Sequence, residues 1–593
     1  MRFCLTVAFS LIAGAALAQQ TADAVQPEVG TDGPVVAGSA AVAASLAAKA
    51  AGQPVSAQTY MVAAANPLAV QAGVDILAAG GTAADAMVAV QAVLGLVEPQ
   101  SSGLGGGAFL VWYDAATQSL ITLDGRETAP MAATPTLFQD ENGEPMGFFD
   151  AVVGGRSVGT PGTPALMAEM HVRWGAAPWE TLFEDAIGLA DGGFAVSARL
   201  AGLVERDAER LGRAATTGAY FLPNGTPIAE GTTLVNAAYA ETLRALASEG
   251  ADAFYHGSMA DDIVATVQGF SDNPGVLSQR DLAAYQVKAR PAVCATYRAH
   301  DVCGMGPPSS GALTVGQILG MLESYDLAGL GPESPKSWRL IGDASRLAFA
   351  DRGRFMADSD FVPMPTKGLV DPAYLANRAT LLEGETALEE VAPGNPAFDH
   401  AMNWADDESL ELPSTSHISI VDSYGNVASM TTTIENAFGA RLMVNGFLLN
   451  NEMTDFSFRT HRDGVPIANA LAPGKRPRSS MSPTIVFKDG APVLAIGSPG
   501  GSRIIGYTAK AIIAHIDWGM NVQEAIDLPH AVNRFGTFDV EEGTEAEGLA
   551  PALEAMGFEV NVRGLNSGLH AIAIGDVLQG GADPRREGIA LGD

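Results

Sequence analysis

The amino-acid sequence predicts an α+β protein, helix-rich in its first part and strand-rich in its second. Three observations carry this. Apolar residues recur at helical spacing between 68 and 96, and again in several stretches from 160 to 350. After residue 415 the pattern changes to short runs in which polar and apolar residues alternate. Strands and helices do not take turns and no segment repeats, so layers are expected rather than a chain of βαβ units.

The elements follow in chain order. MRFCLTVAFSLIAGAALAQQ has Arg2, an apolar run over 3–15 and the small-x-small signal Ala16-Leu17-Ala18, which together make residues 1–18 a secretory signal peptide. Residues 19–58, rich in Ala, Gly, Val, Gln and Pro without lasting periodicity, read as a flexible leader, and order is expected from MVAAANP (61–67). A helix over 68–78 stops at Gly80-Gly81. A second opens at Thr82-Ala-Ala-Asp85 like a capping box, and its nearly unbroken apolar character to Leu96 predicts burial. Strands are expected at 415–421, 427–434, 444–449, 484–487 and 492–496, and helices at 505–516 and 521–527.

Composition narrows the function. A chain of 593 residues with 47% hydrophobic and 17% charged residues can bury a large core and suits an enzyme. A formal charge of −33 excludes a nucleic-acid partner, which needs basic groups to replace phosphate counterions. It also argues against docking on anionic membranes, and no later apolar run has spanning length. The expected location is the periplasm or the exterior. Cys4 leaves with the signal. Cys294 and Cys303 flank an alternating stretch that reads as a tight hairpin around Arg298-Ala299, which sets them opposite each other. A disulfide is one outcome, two free buried thiols the other.

Several motifs carry little. Gly155-Arg-Ser157-Val-Gly159 fits G-x-S-x-G, but TPGTP delays the helix that a nucleophile elbow requires. Gly103 to Ala108 resembles a dinucleotide fingerprint, yet a strand-like FLVWYD follows where a helix is needed. The nine histidines form no metal-binding spacing, and no metal or organic cofactor is expected. His417, alternating with apolar neighbours, reads as structural.

The stretch 415–434 is different. Read as a hairpin turning at SYGN, it pairs residues whose numbers sum to 848, so Thr415 faces Thr433. Alone, this is a cross-strand threonine pair. A cut before Thr415 would supply a base, because a new α-amine with a pKa of about 8 would lie beside the hydroxyl. An exposed acidic loop, DDESLELPS (406–414), precedes that residue and suits such a cut. Gly500-Gly501, between a strand and the apolar run IIGYTAKAII, offers backbone N–H groups for an oxyanion; the alternative is an ordinary glycine turn.

From about residue 60 to the C-terminus the sequence resembles the γ-glutamyltransferase family. The likeness is carried by VEPQSSGLGGGAF (97–109), LDGRETAP (123–130), GTPGT (159–163), PPSSG (307–311) and STSHISIVDSYGN (414–426). LLNNEMTDFS (448–457), KRPRSSMSPTIV (475–486), GSPGGSRII (497–505) and ADPRREG (582–588) continue it in family order. The resemblance implies a four-layer αββα N-terminal-nucleophile hydrolase that cuts itself between Ser414 and Thr415. The products would be a large subunit (59–414) and a small subunit (415–593) held together as a heterodimer. It further implies Thr415 as nucleophile, Thr433 as its partner and Gly500 and Gly501 as the oxyanion hole. Arg126, Ser479 and Ser480 would hold a substrate α-carboxylate. Glu435, Glu452 and Asp455 would surround the α-ammonium, for which three acids are suitable acceptors. Some relatives carry Asn and Gln where this chain has Glu435 and Glu452, so the site here is more anionic. The loop 457–474 is shorter than the lid of some bacterial members and lacks tyrosine.

The expected activity is therefore transfer of a γ-glutamyl group from glutathione or related compounds to water, an amino acid or a peptide. The alternatives are a glutaryl (cephalosporin) acylase of the same fold, which needs no ammonium pocket, and an inactive periplasmic amino-acid-binding relative.

Overall fold

The computed structural model describes residues 38–400, 403–407, 409 and 411–593. The expected signal peptide and the first part of the leader lie outside them. The rest of the leader is a correction to the sequence reading: it forms a helix, Ala40–Ala50, and a strand, β1 (Val55–Ala57). The helix begins where the Ser39 side chain accepts from the Val42 N–H, and its alanines favour continuation. Its apolar contact is limited to Val42, with Leu46 beside it, and polar groups supply the rest of the anchoring, which is why periodicity missed it. Ser45 Oγ donates to Ala590 O at 2.7 Å, and Lys49 Nζ donates to the carbonyls of Arg586 and Gly588 at 2.9 and 2.7 Å.

Two seven-stranded sheets form the centre. In chain order the further strands are β2 (Met61–Ala64), β3 (Gly107–Asp114), β4 (Ser119–Gly125), β5 (Lys288–Arg290), β6 (Val293–Tyr297) and β7 (His300–Gly304). They continue as β8 (Ser416–Val421), β9 (Val427–Thr433), β10 (Thr484–Lys488), β11 (Ala491–Gly497), β12 (His570–Ile574), β13 (Leu578–Ala582) and β14 (Ile589–Gly592). One sheet runs β14-β2-β8-β9-β3-β4-β5 and the other β1-β13-β12-β11-β10-β7-β6. Their inner faces meet over Met61, Val111, Val427, Ile485, Ala495 and Ile572. Helices Pro67–Ala78 and Ala83–Val97 bury the outer face of the first sheet, and the second helix carries the expected Thr82–Asp85 capping box. Helices Gly311–Leu322, Pro335–Phe355 and Ile504–Ile516 bury the outer face of the second. The layers are αββα, and among the described residues no helix is long and apolar enough to cross a membrane.

Both sheets combine strands from before and after residue 415. β8 and β9 lie between β2 and β3, hydrogen-bonded to both. A cut at 414/415 therefore leaves every ladder intact. The β8–β9 register pairs Ser416 with Thr432 and Val421 with Val427, sums of 848 throughout. Cys294 and Cys303 face each other across β6 and β7 and are joined by a disulfide. The expected strand at 444–449 is instead a small hairpin, Met443–Val444 with Phe447–Leu448, because Asn445 and Gly446 both take positive φ and reverse the chain.

The two discounted glycine motifs have structural roles. Ser157 Oγ donates to the Val152 carbonyl at 2.6 Å inside a short 3-10 turn. Gly106 lies so close to the end of β9 that a Cβ there would come within 1.9 Å of the Thr433 carbonyl oxygen.

Candidate active site

β8 begins one residue later than expected, at Ser416, and Thr415 sits at its mouth with φ +105°. A β-branched side chain rarely adopts that conformation. Alternation places His417, Ser419 and Val421 toward the second sheet, while Ile418 and Ile420 enter the helix-side core. Thr415 and Thr433 share the inter-sheet side at the open end, and Thr415 Oγ1 donates to Thr433 Oγ1 at 3.1 Å. Thr433 Oγ1 is held in turn by the Glu435 N–H at 2.8 Å.

The peptide before Thr415 is gripped from several directions. The Gly500 N–H points to the Ser414 carbonyl oxygen at 3.4 Å. Ser414 Oγ donates to Gln100 O at 2.9 Å, and Arg586 Nη1 donates to Thr415 O at 3.1 Å. Gly500 and Gly501 have φ of +133° and +55°, a turn open to glycine, and lead through a short 3-10 turn into helix Ile504–Ile516. The turn thus aims an N–H at the oxygen that becomes an oxyanion if Ser414 is attacked.

A narrow pocket opens beside Thr415, and Arg126, Thr433, Glu435, Glu452, Asp455 and Gly501 line it, together with Ser479 and Ser480. Arg126 arrives from the end of β4, and Glu452 and Asp455 come from one 3-10 turn. The Arg126 guanidinium bonds Glu452 through Nη1 and Asp455 through Nη2. Glu452 Oε2 and Asp455 Oδ1 remain buried without a hydrogen-bond partner among the described residues. Burial pushes the carboxyls of Glu435, Glu452 and Asp455 well above the ordinary range, and their mutual repulsion adds to it. The cavity is thus an acidic pocket with unsatisfied acceptors, suited to a cation with several N–H donors.

The loop before Thr415 is a second correction. Among its described residues Leu412 and Ser414 are buried, the carboxylates of Asp407 and Glu411 are nearly so, and the half-exposed Asp406 is paired. Arg354 binds Asp406 through two bonds, at 2.8 and 3.0 Å. Arg478 pairs with Asp407 at 3.0 Å, and Glu411 pairs with Arg352. The loop 457–474 packs on the same segment, with the Ala405 N–H bonded to Pro466 O and Asn469 Nδ2 to Asp407. Sequence reasoning missed Glu411 and Arg352 as pocket neighbours. Arg478 was visible in KRPRSS but unassigned, whereas Arg352, in the last turn of helix Pro335–Phe355, carried no local signal that set it apart from a surface arginine.

His417 is buried between Thr431 Oγ1 and Ser419 Oγ, at 2.9 and 3.1 Å. Burial, reinforced by His570, depresses its pKa well below the usual value, so it is neutral and structural.

An αββα sandwich with its site at the mouth of two central strands is the architecture of the N-terminal-nucleophile hydrolases. The chain belongs to the gamma-glutamyltranspeptidase family, whose model matches residues 69–593, and is thus a hydrolase or transferase of that type. It is 37% identical over 546 residues to the glutathione hydrolase proenzyme of Bacillus subtilis (strain 168), covering 90% of this chain and 91% of that protein. To the glutathione hydrolase proenzyme of Escherichia coli (strain K12) it is 36% identical over 549 residues, with 90% and 91% covered. Among solved structures, the cephalosporin acylase of Bacillus halodurans superposes with a TM-score of 0.79 at 26% identity, covering 91% of this chain and 97% of that one.

Proposed function

We propose that this chain is an exported γ-glutamyl hydrolase and transferase that matures by cutting itself between Ser414 and Thr415. One observation carries the reading: the Ser414–Thr415 peptide lies between the Thr433-bonded hydroxyl of Thr415 and the Gly500 N–H, at the mouth of the acidic pocket.

In maturation the Thr415 hydroxyl attacks the Ser414 carbonyl carbon, and its proton passes to the amide nitrogen. The C–N bond breaks, Ser414 is left as an ester on Thr415 Oγ1, and water releases it as a carboxylate. The N-terminus then carries a free amine with a pKa near 8, able to take the hydroxyl proton. In turnover Oγ1 attacks the γ-glutamyl carbonyl, and the N–H groups of Gly500 and Gly501 bind the oxyanion. The amine returns the proton to the leaving nitrogen. The resulting ester passes to water, an amino acid or a peptide. Glutathione, named in the relatives, is the natural first donor to assay.

Arg126, Ser479 and Ser480 take the substrate α-carboxylate, and Glu435, Glu452 and Asp455 take its ammonium. The unpartnered oxygens of Glu452 and Asp455 support the second assignment. They also weigh against a glutaryl acylase, whose substrate has no ammonium to offer them. The signal peptide 1–18, the large subunit 59–414 and the small subunit 415–593 complete the reading, with both subunits retained by the shared sheets.

Intact mass of purified protein beside a Thr415→Ala control tests it. Two fragments are expected, the smaller beginning at Thr415, with one uncut chain for the variant. A wild-type chain that stays whole and inactive sinks the mechanism. Faster release of aniline from a glutaryl anilide than from its γ-glutamyl counterpart overturns the substrate class instead.

A further inference from the structure

Glu411 stands four positions before Thr415 and lines the same cavity. Its carboxylate accepts from Arg352 Nη2 and from Ser480 Oγ, and Arg478 Nε lies 3.5 Å away. Arg352 also donates to Ser480 Oγ at 2.7 Å and to Ser310 Oγ at 2.8 Å. One residue on, the Leu412 N–H points to Glu435 Oε1 at 3.4 Å. The segment lies close over the glycine turn, where a Cβ on Gly501 would meet Leu412 O at 2.7 Å. This stretch of the chain therefore offers the pocket a carboxylate at one end and an N–H donor at the other. An amino-acid-like acyl group presents the same two features.

We propose that Glu411 is an internal ligand, its carboxylate holding in the uncut chain the place that a substrate carboxylate takes after the cut, and that Arg352 is the specificity-determining cation serving both.

The charges of the two arginines explain why Arg126 does not suffice. Arg126 is compensated by Glu452 and Asp455, with Glu127 a further 3.8 Å contact. Arg352 is as deeply buried, and among the described residues its one ion pair is with Glu411. Burial opposes ionisation of Glu411, yet Arg352 and Arg478 outweigh it and hold the carboxyl at about 2. When the cut frees Ser414 and the segment leaves, Arg352 keeps its bonds to Ser310 and Ser480 but loses its ion-pair partner, and such a buried cation needs an anion. Ser480 bridges the two roles, because the hydroxyl expected to meet substrate already touches Glu411 and Arg352.

The inference rests on the γ-glutamyl reading only in requiring an acyl donor with a carboxylate, and the test separates the two. Four anilides are assayed on the self-processed enzyme: γ-glutamyl, its analogue without the carboxylate (4-aminobutanoyl), glutaryl and butanoyl. In the wild type, loss of the carboxylate is expected to raise KM by roughly 30-fold or more within whichever pair is used, as for a truncated buried charge pair. In Arg352→Gln the discrimination is expected to fall at least about threefold, the remainder being held by Arg126, Ser479 and Ser480. Arg352→Lys keeps the charge and is expected to retain part of the preference, which covers a failure of Arg352→Gln to fold. Full carboxylate discrimination in either processed variant overturns the role of Arg352. A glutaryl preference in the wild type overturns only the γ-glutamyl assignment. For the internal ligand, calorimetry with L-glutamate is expected to detect binding to processed wild type and none to uncut Thr415→Ala. Equal binding to both overturns the placeholder.

Discussion

Gly500→Ala is the sharpest probe of the oxyanion turn. Gly500 has φ +133°, a region closed to alanine, so the substitution forces the backbone to rotate. An added Cβ would also lie 2.8 Å from Tyr507 Cε2. That ring cannot swing aside easily, being buried and packed against His530 with centroids 4.2 Å apart. Relief therefore falls on the 499–501 backbone, and the N–H directed at Ser414 O turns away. Strain at such a position costs about 1–3 kcal/mol. Loss of one oxyanion donor costs about 2.7–4 kcal/mol in the transition state, or roughly 10²–10³ in rate. Self-cleavage, followed by intact mass from the moment of purification, is expected to slow by that factor. Gly501→Ala makes the contrast, since φ +55° is open to alanine at about 1–2 kcal/mol. Its Cβ strikes the Leu412 carbonyl instead, a contact that disappears once the segment leaves. Processed Gly501→Ala is expected to hydrolyse substrate better than processed Gly500→Ala. Maturation of Gly500→Ala within about twofold of wild type would refute an oxyanion role for this turn.

Three further outcomes are expected. Thr433→Val removes the hydroxyl 3.1 Å from Thr415 Oγ1 and strands the Glu435 N–H, a loss of about 1–3 kcal/mol that should slow hydrolysis roughly 10- to 100-fold; an unchanged kcat removes Thr433 from the mechanism. The ratio of kcat/KM for γ-glutamyl over glutaryl anilide should fall as pH falls. Burial has raised Glu435, Glu452 and Asp455, so these acids take up protons above the ordinary carboxylate range and lose their hold on an ammonium. Titration of the N-terminal amine is common to both substrates and cancels, so a ratio flat with pH excludes the acids from ammonium binding. Replacing Cys294 and Cys303 together by serine opens a loop with a sequence separation of 9 and should cost about 2–3 kcal/mol in denaturant unfolding while leaving KM unchanged; a large rise in KM would tie the disulfide to the site.

What the sequence reveals of this fold depends on whether the information is local. The β8–β9 register was legible because alternation and a four-residue turn fix both partners within 20 residues, and the structure has the same pairing. Helices over 68–78, 82–96 and 505–516 were legible from unbroken apolar character and a cap. Helix Ala40–Ala50 was not, because Ser45 and Lys49 find their partners at 586–590, more than 500 residues away. The acidic run before Thr415 looked like a solvated loop because charge density ordinarily means exposure. The carboxylates of Asp407 and Glu411 are buried because Arg478 and Arg352 reach them from a distant loop and a helix, while Arg354 holds the half-exposed Asp406. Composition cannot reveal such pairings. Glu435, Glu452 and Asp455 were found through the family resemblance, and the structure adds which of their oxygens lack partners.

The conformation of Thr415 follows from two anchors that disagree. On its C-terminal side, β8 is held by ladders to β2 and β9, so Ser416 cannot shift without moving the central sheet. On its N-terminal side, Glu411 is fixed by Arg352 and Ser480, and Ser414 by Gln100 O and the Gly500 N–H. Thr415 is left to absorb the mismatch, and its φ of +105° stores about 1–3 kcal/mol. Cutting the Ser414–Thr415 bond removes the N-terminal anchor and lets that strain relax. On the proposal that the segment carrying Glu411 leaves after the cut, strain relief and the opening of the pocket belong to one event. Weakening the anchor without touching Thr415 should therefore slow the cut, because the chain before the bond could yield and let Thr415 relax uncleaved. Ser414→Ala, which loses only the bond to Gln100 O, tests this. Slower self-cleavage with unaltered kinetics in the processed enzyme is expected, since Ser414 no longer adjoins Thr415 there. Faster cleavage would mean that the grip on Ser414 opposes the reaction rather than driving it.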